Sequence, residues 1–412
     1  MAQSTHRLDA TWLTEGPVAE LLAVLNRKGE EARIVGGAVR NAMLNQPPGD
    51  FDIATTAIPE EVTRRVEAAG FKAVPTGIDH GTVTVVIGGA PFEVTTLRQD
   101  VETYGRKAKV AFGRDWRADA ERRDFTINAL SVSPDGTLYD YVGGLSDLAH
   151  RRVRFIGDPQ QRIAEDYLRI LRFFRFHAAY GHGALDAAGL HACIVARAGL
   201  DTLSRERVRM EFLKLLLAPD PVATIIVMAE TGLLGRVVAG VPLVGSFDTM
   251  LKVEAALGLA PDAMRRLASL CILVEEDAER LWQRLRLSNS EHERLRSMAT
   301  QWHDVSPAIG ESGARAQLYR LGPDRFFDRV LMAWSRSSAD PASPAWQHLA
   351  LLPSRWTAPA FPLKAADLLA RGVPAGPALG AALRAAEAAW ITAGFPMDSV
   401  RLAAIAAQAA NG

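Results

Sequence analysis

The chain has 412 residues, 48% of them hydrophobic, and its 47 Lys and Arg balance 47 Asp and Glu to a formal net charge of zero. That length calls for two to four domains or subdomains, and the absence of about 18 uninterrupted apolar residues argues against a membrane span. The N-terminus MAQSTHRLDATWL lacks a signal-peptide pattern, and Cys193 and Cys271, lacking metal-ligand spacing, suit a reducing cytoplasm rather than a disulfide scaffold or zinc site.

ARIVGG reads as a short buried strand ending in glycine, and AVRNAML as the helix after it. Gly36 and Gly37 stand between the two, where peptide N–H groups can approach a phosphate with no Cβ in the way. Arg40, one turn into the helix, can reach the same anion. A dinucleotide-binding loop would need a third glycine and an acid about 20 residues on; the glycine is missing and the acids arrive after about 13.

Those acids are Asp50 and Asp52 in GDFDIAT, read as a strand. A spacing of two places both carboxylates on one face, with Phe51 and Ile53 toward the core. Two like charges so close favour a cation between them, and hard oxygens suit Mg²⁺; the plain alternative is an exposed pair at a strand end. IPEEVTRRVEAAG follows as a helix, with Pro59 in its first turn and Gly70 at its end. TVTVVI, GGAP and FEVTTLR read as a hairpin. Glu93 begins its second strand between Phe92 and Val94, either facing solvent or completing a two-metal ligand set with Asp50 and Asp52.

Residues 99–121 read as a polar, irregular loop. ERRDFTINAL then sets Arg123 and Asp124 ahead of an apolar, helix-like segment; Arg123 can meet phosphate or ribose with Asp124 orienting it, or Asp124 can simply begin a helix. Residues 151–175 hold seven arginines against three acids, a basic stripe hidden within a neutral average.

Beyond about residue 160 strand signals vanish. QRIAEDYLRILRFFRFHAAYG reads as one helix on which Asp166, Arg169, Arg172 and Arg175 recur every three residues. Asp166 and Arg169 are then neighbours, while Arg175 lies half a turn away. An Asp166–Arg169 ion pair on a surface would contribute only tenths of a kcal/mol. The functional alternative is base reading. Cytosine and adenine both offer an amino donor beside an unprotonated ring nitrogen, which a carboxylate and a guanidinium match and which guanine and uracil mismatch. RERVRMEFLKLLLA, HERLRSMATQWHDV and ALRAAEAAWITAG are further helices, the last in an Ala-rich, nearly uncharged stretch.

Taken in order, GGAVR, GDFDIAT, FEVTTLR, RRDFTINAL, DYVGGLSDL, EDYLRILRFFRF and SRERVRMEF resemble the class II CCA-adding tRNA nucleotidyltransferases and the related bacterial poly(A) polymerases, across about residues 33–215. The resemblance implies an α/β (α+β) nucleotidyltransferase head of the polymerase-β type followed by an all-α neck, body and tail, with boundaries at 1–147, 148–215, 216–310 and 311–412. It implies template-independent addition of C, C and A from CTP and ATP to the tRNA 3′ end on a two-metal Mg²⁺ site, with no obligate protein partner. Poly(A) addition, or addition of CC or A alone, are the neighbouring activities. By motif, Gly37 and Arg40 would hold triphosphate, Asp50, Asp52 and Glu93 would carry metal, and Arg123 would touch the nucleotide. Asp166 and Arg169 would read its base with Arg172 and Arg175 in support, and DYVGG (140–144) would be a hinge. The family motif runs G-G-x-V-R-D, and here Asn41 replaces the acid, so a reduced rate at most is expected.

Overall fold

The apolar run Ala32–Val35 forms β1, buried along its whole length near the middle of a seven-stranded sheet. This computed structural model describes residues 6–77, 81–104 and 107–411. The sheet runs β3 (Lys72–Gly77), β4 (Thr82–Ile87), β5 (Ala90–Thr96), β2 (Asp52–Thr55), β1, β8 (Ser131–Val132) and β9 (Leu138–Tyr139). All neighbours are antiparallel except β2 and β5, which run parallel. The GGAP hairpin forms as the sequence predicts. Gly88 and Gly89 make its two-residue turn with φ of 58° and 86°, the left-handed region that this tight reversal needs.

Alternation in TVTVVI buries Val83 and Val85 fully. Helices Gly16–Leu25 and Pro59–Ala68 pack on the sheet through Leu21, Leu22, Leu25, Val62 and Val66. Each such side chain contributes about 1.5–3 kcal/mol on burial. Residues 99–121 depart from the irregular loop expected of them. β6 (Arg98–Tyr104) and β7 (Lys107–Phe112) form a separate antiparallel ribbon, and the helix Trp116–Glu121 follows, capped by the Asp115 carboxylate. The period-two signal in KAKVAF is masked by its polar composition.

The chain divides into two compact units, residues 1–237 and 238–412, and the division falls within the 216–310 segment read as one body. Among the described residues no strand follows Tyr139. The expected helix across EDYLRILRFFRF is two helices, Pro159–Glu165 and Leu168–Tyr180, broken at Asp166, whose backbone is extended. In the second unit, helices Val244–Ala256, Ala263–Cys271, Asn289–Ala299 and Pro323–Arg336 enclose Met250, Leu267, Leu295 and Trp334. The Ala-rich end pairs Pro377–Thr392 with Ser399–Ala410 around Trp390, Ala386 and Ala406. No helix among the described residues is long and apolar enough to cross a membrane.

Candidate active site

Asp52 opens β2, opposite Val35 on β1 and Glu93 on β5. Parallel register therefore sets the Asp52 and Glu93 side chains beside each other on one sheet face, about 4.8 Å apart in the strand-to-strand direction. β5 begins at Ala90, so Glu93 sits mid-strand rather than at its start. Asp50 lies ahead of β2, after Gly49 at φ 71°, so strand alternation does not set its direction. Phe51 is only half-buried and meets Trp12 edge-on, ring centres 5.2 Å apart.

No ion pair reaches these three acids from any described residue. Asp52 keeps an open outer face, yet its carboxyl is held above the usual carboxylate range. Crowding by protein is the main cause, with the Glu93 charge next and Asp50 adding, against a lowering by Arg123. Among the described residues no three His, Cys, Asp or Glu are already grouped as a metal cage. Even so, hard oxygens whose mutual repulsion has no counter-charge are the donor chemistry Mg²⁺ takes.

Gly36 occupies φ 70° between β1 and the helix Gly37–Met43. A Cβ there would lie 3.4 Å from Arg123 Nη1 and 3.5 Å from the Asn128 carbonyl oxygen. Its own N–H donates to the Leu130 carbonyl at 3.0 Å, so it is not the free phosphate donor the sequence suggests. The 3.4 and 3.5 Å approaches are ordinary contact distances, so what glycine provides here is the positive φ of the turn from β1 into the helix. Arg40 is 6% exposed and donates only to neutral acceptors: the Asn41 and Asn128 side-chain oxygens and the Tyr180 hydroxyl at 2.7 Å. Burial, with the nearby Arg175 charge, makes its own charge harder to hold. A buried cation without a carboxylate is suited to an anionic ligand.

Arg123 is aimed not by Asp124 but by Asp119, one helical turn earlier, at 3.1 Å; Asp119 also takes Arg122. Asp124 instead accepts from the Phe125 N–H, Asn128 and Arg172. Burial would raise its pKa, but the Arg172 guanidinium overcomes that and holds it low. Arg172 and Arg175 converge on the buried Glu211, at 3.5 and 2.6 Å. The guanidinium carbons of Arg40, Arg172 and Arg175 lie 5.3, 5.2 and 4.3 Å from the centre of the Phe176 ring, within cation–π range. The result is an open cleft of about 510 Å³. Gly36, Gly37, Asp50 and Asp52 line it together with Arg40, Arg123, Arg172 and Arg175.

Asp166 and Arg169 are outside that lining and do not pair with each other. Because the helix breaks between them, Asp166 receives Arg207 in two hydrogen bonds, 3.2 and 2.6 Å, while Arg169 turns back to Glu165 and the Arg162 carbonyl. The Asp166 charge is nonetheless felt at Arg172, which does line the cleft. At the break the Tyr167 ring packs against Gly199, where a Cβ would be 2.0 Å from it, and the Asp166 carboxylate accepts from the Leu168 N–H at 3.1 Å. In DYVGG, the Asp140 carboxylate accepts from the N–H groups of residues 142–145, and a Cβ on Gly144 would be 2.3 Å from the Thr126 carbonyl oxygen. Sequence reasoning did not single out Asp119, Asn128, Tyr180, Arg207 or Glu211. Arg207 and Glu211 sit inside SRERVRMEF, whose acid and base on an apolar helix were the available signal.

The model of the poly A polymerase head domain matches residues 32–154, and that of a probable RNA- and SrmB-binding site of polymerase A matches residues 190–241. The mouse (Mus musculus) protein CCA tRNA nucleotidyltransferase 1, mitochondrial, is 34% identical over 396 residues, covering 94% of this chain and 89% of that one. The chain belongs to the CCA tRNA nucleotidyltransferase family. The crystal structure of the Bacillus stearothermophilus CCA-adding enzyme in complex with CTP is similar across 91% of this chain and 92% of its own, at 29% identity and a TM-score of 0.72. The Thermotoga maritima CCA-adding enzyme complexed with tRNA covers 99% of this chain and all of its own, with a TM-score of 0.72; at 19% identity that likeness speaks for the fold alone.

Proposed function

We propose that this chain is a CCA-adding tRNA nucleotidyltransferase, building C, C and A onto the tRNA 3′ end from CTP and ATP. The observation that carries the reading is the cleft itself, where Asp50 and Asp52 share one lining with Arg40, Arg123, Arg172 and Arg175, and Glu93, outside that lining, stands in register beside Asp52, in a member of this family. In this reading Arg40 and Arg123 bind and orient the triphosphate. The RNA 3′-hydroxyl gives its proton to solvent as its oxygen attacks the α-phosphorus in line; a new O–P bond forms, the α–β bridge breaks, and pyrophosphate leaves with the electron pair of that bond. Asp50 and Asp52, with Glu93, would hold Mg²⁺, which supplies charge neutralisation and lowers the pKa of the attacking hydroxyl.

Asp166 and Arg169 would select the base. The Arg207 guanidinium and the Leu168 N–H together occupy three of the about four lone-pair sites an ionised carboxylate offers, which leaves Asp166 acceptor capacity for one amino hydrogen. The boundaries 1–147, 148–215, 216–310 and 311–412 are retained as head, neck, body and tail, with the tail gripping tRNA. Both cysteines are buried free thiols, in keeping with a reducing compartment, for which we take the cytoplasm. The test offers tRNAs ending before CCA, after C and after CC, with each NTP singly and mixed. Three additions followed by arrest support the reading. An open-ended ladder of A would replace it with poly(A) synthesis, and addition stopping after CC, or adding A alone, with a partial enzyme.

A further inference from the structure

Asn41 lies half-buried at the rim of the cleft, and its side-chain amide is engaged at both ends. Its Oδ1 accepts from Arg40 Nε and Nη2 at 3.2 and 2.9 Å. Its Nδ2 donates to the Pro47 carbonyl at 3.1 Å and, more weakly, to the Pro48 carbonyl at 3.4 Å. The backbone closes the same turn: the Asn41 carbonyl accepts from the Gln46 N–H at 2.9 Å, and Asn45 takes φ 54°. Flipping the amide would set donors against the guanidinium and an acceptor against the carbonyls, so the network admits one orientation.

From these contacts we propose that Asn41 is a positioning residue that ties the turn carrying Asp50 to Arg40. The group reaching for the triphosphate and one of the cation ligands are thereby held as one unit. The inference rests on the proposed role of Asp50 as a cation ligand. It also reverses the expectation attached to this position. An aspartate would still accept from Arg40, but its second oxygen would face the carbonyl oxygens of Pro47 and Pro48, acceptor against acceptor. The turn would have to lift away, taking Gly49 and Asp50 with it. The acid that the resemblance leads one to expect is the wrong residue for this proline-containing turn.

The test uses the full chain and Mn²⁺ as the probe, titrated calorimetrically without nucleotide, for wild type, Asn41→Asp, Asn41→Ala and Asp50→Asn. Both Asn41 variants lose the donor and should bind Mn²⁺ about tenfold more weakly, the worth of one hydrogen bond. The Mg²⁺ concentration for half-maximal C addition should rise by a like factor. Only Asn41→Ala also removes one of the three acceptors that hold Arg40, so only it should raise the KM for CTP at saturating Mg²⁺; equal rises in both variants would mark general damage and overturn the tie. Wild-type Mn²⁺ affinity in both Asn41 variants would also overturn it, provided Asp50→Asn binds weakly. Undiminished binding by Asp50→Asn would instead overturn the role of Asp50 itself. Should Asn41→Asp fail to fold, Asn41→Ala alone carries the metal comparison.

Discussion

On the strand side of the cleft Asp50 and Asp52 form no ion pair with any described residue, and Glu93 adds its charge from the neighbouring strand, whereas on the helix side Arg172, Arg175, Asp124 and Glu211 satisfy one another. Both arrangements come from close packing of charge, yet they do opposite things. Neighbouring like charges store repulsion that a bound cation would relieve. Pre-paired opposite charges hold long side chains in one geometry, so the wall they form is stiff before any substrate arrives. Arg40 completes the contrast as a buried cation whose acceptors are all neutral.

The largest break in this comparison is Asp52→Asn. Nucleotide addition should fall about 10³-fold, the several kcal/mol attributed to metal-assisted charge stabilisation. Stability should move the other way. A carboxyl whose folded pKa is raised favours the protonated form, so its stabilising contribution is present at low pH and is lost as the pH climbs through that raised value. Asn removes the resulting cost. In metal-free buffer the variant should melt above wild type at pH 7, the gap closing as the pH falls toward 3.8; a lower Tm at pH 7 would place Asp52 in an unseen ion pair.

Glu211→Gln tests the paired wall. It leaves Arg172 and Arg175 short of their shared buried carboxylate and should cost about 3 kcal/mol, read as a drop in urea midpoint at unchanged slope. A loss below about 0.5 kcal/mol would mean the wall is no stiffer than an exposed surface pair. The smallest effect belongs to Asp166→Ala, which should leave C and A addition running while incorporation of G and U rises about 10- to 100-fold, the worth of one bidentate base contact. Unchanged rejection of GTP and UTP would assign Asp166 to the helix break alone.

Much of the head was readable from local pattern. Glycine punctuated β1, the helix after it and the hairpin, and apolar alternation marked β4, because those elements are specified by residues within a few positions of one another. Asp52 and Glu93 were picked as partners from their chemistry, and parallel pairing of β2 and β5 sets them side by side. What failed to show was anything fixed from far along the chain. AEDYLR contains no Pro or Gly, so its 3.6 period reads as unbroken helix. The break combines a local cap, the Asp166 carboxylate accepting from the Leu168 N–H at 3.1 Å, with contacts from Gly199, 32 residues beyond Tyr167, and Arg207, 41 beyond Asp166. For the same reason Asp124 looked like the partner of its neighbour Arg123, when Arg172 claims it from 48 positions away. The ribbon at 98–112 was hidden by polar composition rather than by distance.

Gly199 also limits how the helix break at Asp166 can be altered. With the Tyr167 ring seated on its α-carbon, even a methyl group must push the aromatic aside and drag the adjoining carboxylate with it. A mutant library screened for changed nucleotide preference should therefore find position 199 intolerant although it lies outside the cleft lining, and trimming the tyrosine first should restore tolerance there.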